Sequence, residues 1–71
     1  MNIKGLRAFY LVVSKGSLAA AADQLCLSQP AVSRLISVLE AELKLGLFHR
    51  NRRNLVLTEE GQLFYREARR I

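Results

Sequence analysis

SQPAVSRLISVLEAEL, residues Ser28–Leu43, carries Val32, Leu35, Ile36, Leu39 and Leu43 at helical spacing. At about 100° per residue these side chains form one narrow apolar stripe. Ser28 is placed to cap the helix, its hydroxyl accepting from a backbone N–H two or three residues on. Pro30 falls in the first turn, where a missing N–H leaves no intrahelical bond unmade. The opposite face holds Pro30, Ser33, Arg34, Ser37 and Ala41, with Gln29 at its leading edge. It is small and polar, with one cation and no acid before Glu40. Such a face can approach a polyanion closely at its N-terminal end.

The stretch needs a partner on its N-terminal side. Ser17 is a cap for a short helix over Leu18–Leu25, whose alanine run Ala19–Ala22 combines high helix propensity with little bulk. Small residues allow the close helix crossing that a helix-turn-helix requires, and Cys26-Leu27 is a tight connector to Ser28. The interval Ser17 to about Ile36 has apolar positions at Ala21, Ala22, Leu25, Leu27, Val32 and Leu35. An ordinary αα-hairpin of a small bundle has the same periodicity. Further upstream, Ile3–Ser14 is predicted as a first helix with Ile3, Leu6, Phe9, Tyr10 and Val13 on one face. Leu11 and Val12 lie off that face, so either a partner subunit covers them or the helix is buried on two sides. Lys15-Gly16 closes this helix, with a cation in its last turn and a glycine free to take φ > 0.

Downstream, Leu45-Gly46 breaks the helical pattern. Leu47-Phe48 and Leu55-Val56-Leu57 flank the polar stretch HRNRRN, His49–Asn54, which predicts a short β-hairpin. Arg50, Arg52 and Arg53 crowd its tip. Thr58 then caps a last helix, with Glu59 and Glu60 at its positive end and Arg66, Arg69 and Arg70 towards its negative end. Leu63, Phe64, Ala68 and Ile71 form its stripe, which is wider than the neighbouring helices need. The fold expected is mainly α: a winged helix-turn-helix over residues 1–57, with a two-stranded β wing at 47–57, and the start of a linker helix over 58–71.

Composition narrows the partners. With 71 residues the chain is one small domain, burying roughly 60% of its unfolded surface. Its 51% hydrophobic content argues against a disordered tail, and a net charge of +5 favours a polyanion, nucleic acid or anionic membrane. Cys26 is the sole cysteine, so no internal disulfide forms and a reducing cytoplasm is expected; between two leucines it reads as a small buried hydrophobe. The longest apolar run, Ala8–Val13, is far short of the roughly 18 residues of a membrane span. His49 has no ligand-type neighbour at metal spacing, and no nucleophile–base pair occurs. No enzyme activity, metal or cofactor is expected.

Three elements remain for function. On the Ser28–Leu43 helix, Gln29 can pair bidentately with adenine and Arg34 with guanine in a major groove. Ser33 and Ser37 can reach phosphates or bases, and the helix N-terminus at Ser28 favours a phosphate. At the tip, one arginine can enter a minor groove while its neighbours neutralise phosphates. The last helix, with Leu63, Phe64, Ala68 and Ile71 and help from Leu11 and Val12, is the candidate dimer surface; two-fold pairing would fix a half-site spacing.

These residues, taken in order, resemble the N-terminal DNA-binding domain of LysR-type transcriptional regulators. The match runs from Phe9 and Val13 through Gly16-Ser17, Ala21-Ala22 and Leu25 to Ser28–Ser33, Ile36 and Leu39-Glu40. It continues through Leu47-Phe48, Arg50, Arg53 and Leu57-Thr58 to Gly61. Three positions depart from the family pattern: Lys44 stands where a glycine is usual, Leu18 where an aromatic is common, and the helix–helix turn lacks glycine. The resemblance implies a bacterial cytoplasmic regulator that binds promoter DNA as a dimer or higher oligomer, its linker helices paired. It implies Gln29, Pro30, Ser33 and Arg34 at the major groove, Ala31 offering a methyl to thymine, and Arg53 at the minor groove. It also implies a C-terminal effector domain, absent from these residues, that senses a small-molecule inducer. The rival classes are a winged helix used for protein docking and a membrane-surface segment. A neutral-to-basic recognition face speaks against the first, and cations scattered over two elements against the second.

Overall fold

The computed structural model describes residues 2–49 and 55–70. Four helices succeed one another: α1 (Ile3–Lys15), α2 (Leu18–Leu25), α3 (Gln29–Leu43) and α4 (Glu59–Ala68). Each begins on a polar cap whose side chain accepts a backbone N–H. Asn2 takes that of Lys4, Ser17 that of Ala20, Ser28 that of Ala31 and Thr58 that of Gly61. Such a cap contributes about 1 kcal/mol. Three of the four are the residues expected from the sequence.

α1 is the central element, packing on α2, α3 and α4, while α2 and α3 also pack on each other. Its buried residues are Gly5, Ala8, Phe9 and Val12, with Leu11 and Val13 partly buried against the same core. The face expected from bulky residues is therefore rotated. Ile3, placed in the core by its periodicity, is 77% exposed, and Val12, placed on a partner surface, is buried. The physical reason lies in the small residues. A Cβ on Gly5 would stand 3.1 Å from the Leu35 carbonyl oxygen and 3.2 Å from Leu39 Cβ. Gly5 thus marks a close approach of α1 to α3, Ala8 is fully buried, and a pattern weighted by bulk passes over both. Of the two explanations for a helix apolar around much of its girth, burial within its own domain accounts for Val12.

α3 presents Val32, Ile36 and Leu39 to the core, with Leu35 and Leu43 partly buried beside them, as its stripe predicts. Ala21 and Ala22 of α2 are buried against it. The connecting turn departs from expectation. Cys26 is exposed, not buried, and adopts φ 57 as the cap of α2. Its N–H reaches the Asp23 carbonyl and that of Leu27 the Ala22 carbonyl, so the glycine-like conformation is taken by a cysteine. Leu27, expected in the core, is 43% exposed.

The end of α3 repeats this device. Lys44 adopts φ 58, and the Leu45 N–H donates to the Glu40 carbonyl. The stop therefore falls on Lys44, not on Leu45-Gly46. Left-handed backbone costs a side-chain-bearing residue about 1–2 kcal/mol, partly offset here by a cation at the helix's negative pole. Lys44→Gly should stabilise the domain by about 0.5–1 kcal/mol. A urea titration monitored by circular dichroism checks this, and a lower midpoint would show that the side chain makes a contact worth more than the strain.

Past α3, Leu47 is fully buried, and an antiparallel bridge joins Phe48 to Leu57, with His49 N–H donating to the Val56 carbonyl at 2.8 Å. This isolated bridge lies where the two-stranded wing was expected, but no strand is formed among the described residues. The tip of that wing, with Arg50, Arg52 and Arg53, lies outside the described residues, as does Ile71. Phe9, fully buried, sits under an aromatic cluster. Phe48 and Phe64 each lie 5.6 Å from it, and Tyr65 lies 6.3 Å away. Tyr10 stacks on Tyr65 at 5.4 Å. Through these rings α4 is held to α1, each pair contributing about 0.5–1.5 kcal/mol beyond its area.

Candidate nucleic-acid interface

Burial of Val32, Ile36 and Leu39 fixes the rotation of α3 about its axis and turns its other side outward. Ser28, Gln29, Pro30, Ser33 and Arg34 are exposed there, while Ala31 and Ser37 are half-buried at the margins. This edge thus carries an amide, a guanidinium, two hydroxyls and a proline methylene surface. The acids of α3 are both at its far end and both engaged. The Glu42 carboxylate accepts from the Asn2 N–H at 3.3 Å, and Glu40 is 6% exposed. The N-terminal half of the helix therefore presents donors and a positive pole with no carboxylate among them.

Glu40 is the residue that periodicity treated as the limit of the polar face. It stands in phase with Val32 and Ile36, four residues apart each time, and so points inward. Its Oε2 accepts from Leu47 N–H at 2.6 Å and from Phe48 N–H at 3.2 Å. A buried carboxylate on α3 thereby holds the residues that lead into the Phe48–Leu57 bridge. An acid in core phase just before a helix stop was the available signal. On the other side, Leu47 O accepts from Thr58 N–H at 3.0 Å, and Thr58 Oγ1 donates to Gly46 O at 2.6 Å while accepting from Gly61 N–H at 2.9 Å. α3, the segment at the Phe48–Leu57 bridge and α4 are thus tied through the backbone of one buried leucine.

Between α3 and the bridge lies a groove of about 190 Å³, with Ser33 and Ser37 on one lip and His49 on the other. Of the residues expected to pair two chains, Val12 is in the core and Phe64 packs on Phe9, whereas Leu63 is 58% exposed. Leu11 and Ala68 are half-buried. A second groove, of about 300 Å³, runs between α1 and α4, lined by Ile3, Leu6, Arg7, Tyr10, Ala68 and Arg69. Among the described residues no group of three potential metal ligands occurs, and no helix is long and apolar enough to cross a membrane.

A short helix, a tight turn and a longer helix with an exposed polar edge define a helix-turn-helix domain. The family model "Bacterial regulatory helix-turn-helix protein, lysR family" matches residues 3–62, and the chain belongs to that family. It is 44% identical over 70 residues to the HTH-type transcriptional regulator CrgA of Neisseria meningitidis, covering 99% of this chain and 23% of CrgA. To the HTH-type transcriptional regulator BenM of Acinetobacter baylyi it is 44% identical over 68 residues, covering 96% of this chain and 22% of BenM. The chain thus spans less than a quarter of the length of these relatives. Among solved structures, it is similar to the BenM_DBD/catB site 1 DNA complex, with a TM-score of 0.89 and 43% identity over 99% of this chain and 78% of that one. It is similar also to the CbnR_DBD–DNA complex, with a TM-score of 0.87 and 40% identity, covering 99% and 80%.

Proposed function

We propose that this chain binds double-stranded DNA sequence-specifically, as the DNA-binding part of a transcriptional regulator in the cytoplasm of a bacterium. The observation that carries the reading is the exposed edge Ser28–Arg34 of α3, free of carboxylates and turned away from the core. In this reading α3 lies in a major groove. Gln29 and Arg34 face base edges, Pro30 and Ala31 make apolar contacts, and Ser28, Ser33 and Ser37 reach the backbone. The segment 47–57 forms the wing, with Arg50, Arg52 and Arg53 at a minor groove and its phosphates. The similarity to chains solved in complex with DNA supports the reading of DNA binding.

Residues 1–57 act as the reading domain and 58–71 as the start of a linker helix through which two chains pair. Leu63 on α4 and Ile3 at the mouth of the α1–α4 groove are the apolar side chains most available to a partner. A small-molecule inducer belongs to an effector domain in the remaining length typical of the relatives.

Selection of bound duplexes from a random pool, then salt titration of the selected site, tests this function. With roughly four to six phosphates neutralised per domain, log K should fall by about 0.9 per phosphate per log unit of salt. Arg34→Ala should cost about 1–3 kcal/mol and relax preference at particular base pairs. Arg53→Ala should weaken all sequences nearly alike, any residual preference lying in an A·T-rich flank. A flat salt response, or folded variants that bind as the parent does, would place the binding surface elsewhere.

A further inference from the structure

The groove between α3 and the Phe48–Leu57 bridge carries features that base reading by α3 does not use. Apolar Leu18, Ile36, Phe48 and exposed Leu55 line it, with exposed Ser33 and His49 and half-buried Ser37 at its rim. His49 is rooted firmly. Its backbone N–H is bonded to the Val56 carbonyl next to the Phe48–Leu57 bridge, so its origin is set by that bridge. Phe48 packs on Phe9, and His49 beside it is exposed.

Duplex geometry says what passes over this rim. This step rests on the proposed docking of α3 in a major groove and of the hairpin tip in the adjacent minor groove. Those two grooves are separated by one sugar–phosphate strand, so a domain engaging both must let that strand cross between helix and wing. The crossing lies above Ser33, Ser37 and His49. We infer that this rim is a phosphate seat in which the His49 imidazole donates to a backbone phosphate oxygen, opposite the two serine hydroxyls. The carboxylate beneath does not compete for the position, because Glu40 is buried and its Oε2 is engaged by the N–H groups of Leu47 and Phe48.

A seat of this kind carries no sequence information, since phosphate contacts position a protein while base contacts specify. His49→Ala should therefore lower affinity about 3–10-fold for selected and scrambled duplexes alike, the loss of one hydrogen bond. His49→Gln, which keeps a donor, should recover most of it. His49→Glu sets a carboxylate against phosphate and should cost more than about 30-fold. Circular dichroism of these exposed-site variants controls for folding. The decisive measurement uses selected duplexes carrying a single neutral methylphosphonate, moved along the strand between the selected bases and the flank. At one position it should weaken the wild-type chain and erase its advantage over His49→Ala. Wild type that binds DNA while His49→Ala and His49→Glu bind equally well overturns the seat alone. An advantage over His49→Ala that survives every methylphosphonate position also overturns it. Wild type that binds no duplex overturns the DNA reading beneath it.

Discussion

Glu40→Ala should lower the stability of the domain by about 3 kcal/mol. The carboxylate accepts from two backbone N–H groups, of buried Leu47 and part-buried Phe48. Truncation leaves both donors without that acceptor, and each orphaned buried donor costs about 1–3 kcal/mol. Water entering the vacated space recovers part of this. For 71 residues the total stability expected is only about 4–10 kcal/mol, so the loss is a large fraction of it. Glu40→Gln keeps one acceptor oxygen of the right reach and should recover roughly half of the loss. The functional effect should exceed the fraction unfolded, because the same bonds set where the Phe48–Leu57 bridge stands relative to α3. Urea unfolding at fixed pH, with duplex affinity corrected for the folded fraction, separates the two effects. An alanine variant with an unchanged midpoint would mean that these bonds contribute nothing net.

That residue also marks how far the sequence could be read. Helix starts were legible because a cap is a local device: Ser17, Ser28 and Thr58 each serve the N–H three residues on, whatever lies elsewhere in the fold. Gly16 was legible for the same reason and takes φ 81. The stripe of α3 was legible because the helix is buried on one side only, so bulk and burial coincide. In α1 they do not. Three helices pack on it, Gly5 lies at a close approach to α3, small Ala8 is fully buried, and Ile3 is left outside. Cys26 escaped, and Lys44 was marked only by the family pattern that puts a glycine there, because the turn geometry at each is imposed by the packing of α3. That helix must start and stop where its stripe meets the core, and whichever residue occupies the adjoining turn adopts the left-handed conformation. The inward phase of Glu40 was there to be read from its spacing to Val32 and Ile36, but its partners are backbone groups seven and eight residues on, which no periodicity reports. Of the recognition edge, the exposure of Gln29, Pro30, Ser33 and Arg34 came directly from the stripe. The groove that joins it to His49 required the chain to fold back.

Gly61→Ala should destabilise the domain by about 3 kcal/mol, against the direction that helix propensity alone predicts. Gly61 lies within α4, where alanine is ordinarily better than glycine by about 1 kcal/mol. Here the helix backbone passes directly over the carbonyl of Leu47. A Cβ at this position would overlap the Leu47 carbonyl oxygen and stand 3.1 Å from its carbon and 3.0 Å from Leu57 Cδ2. The obstructing atoms are mainly backbone, so no rotamer change relieves the contact. Either α4 lifts away or the turn at Leu47 moves. The turn is tied to Glu40 through the Leu47 N–H and to Thr58 through its carbonyl, so the lighter response is for α4 to lift. Lifting strains the Thr58 bonds to Leu47 and Gly46 and draws Phe64 and Tyr65 off Phe9. Gly46→Ala is the control, because a Cβ there meets nothing closer than 3.9 Å. It should change stability by less than about 0.5 kcal/mol. Thermal unfolding compares the two variants, and the tyrosine ring currents between Tyr10 and Tyr65 report locally on whether α4 has lifted. If Gly61→Ala proves as stable as the parent with those rings still stacked, the close passage of α4 over Leu47 is not what holds the helix down, and the aromatic cluster alone must do so.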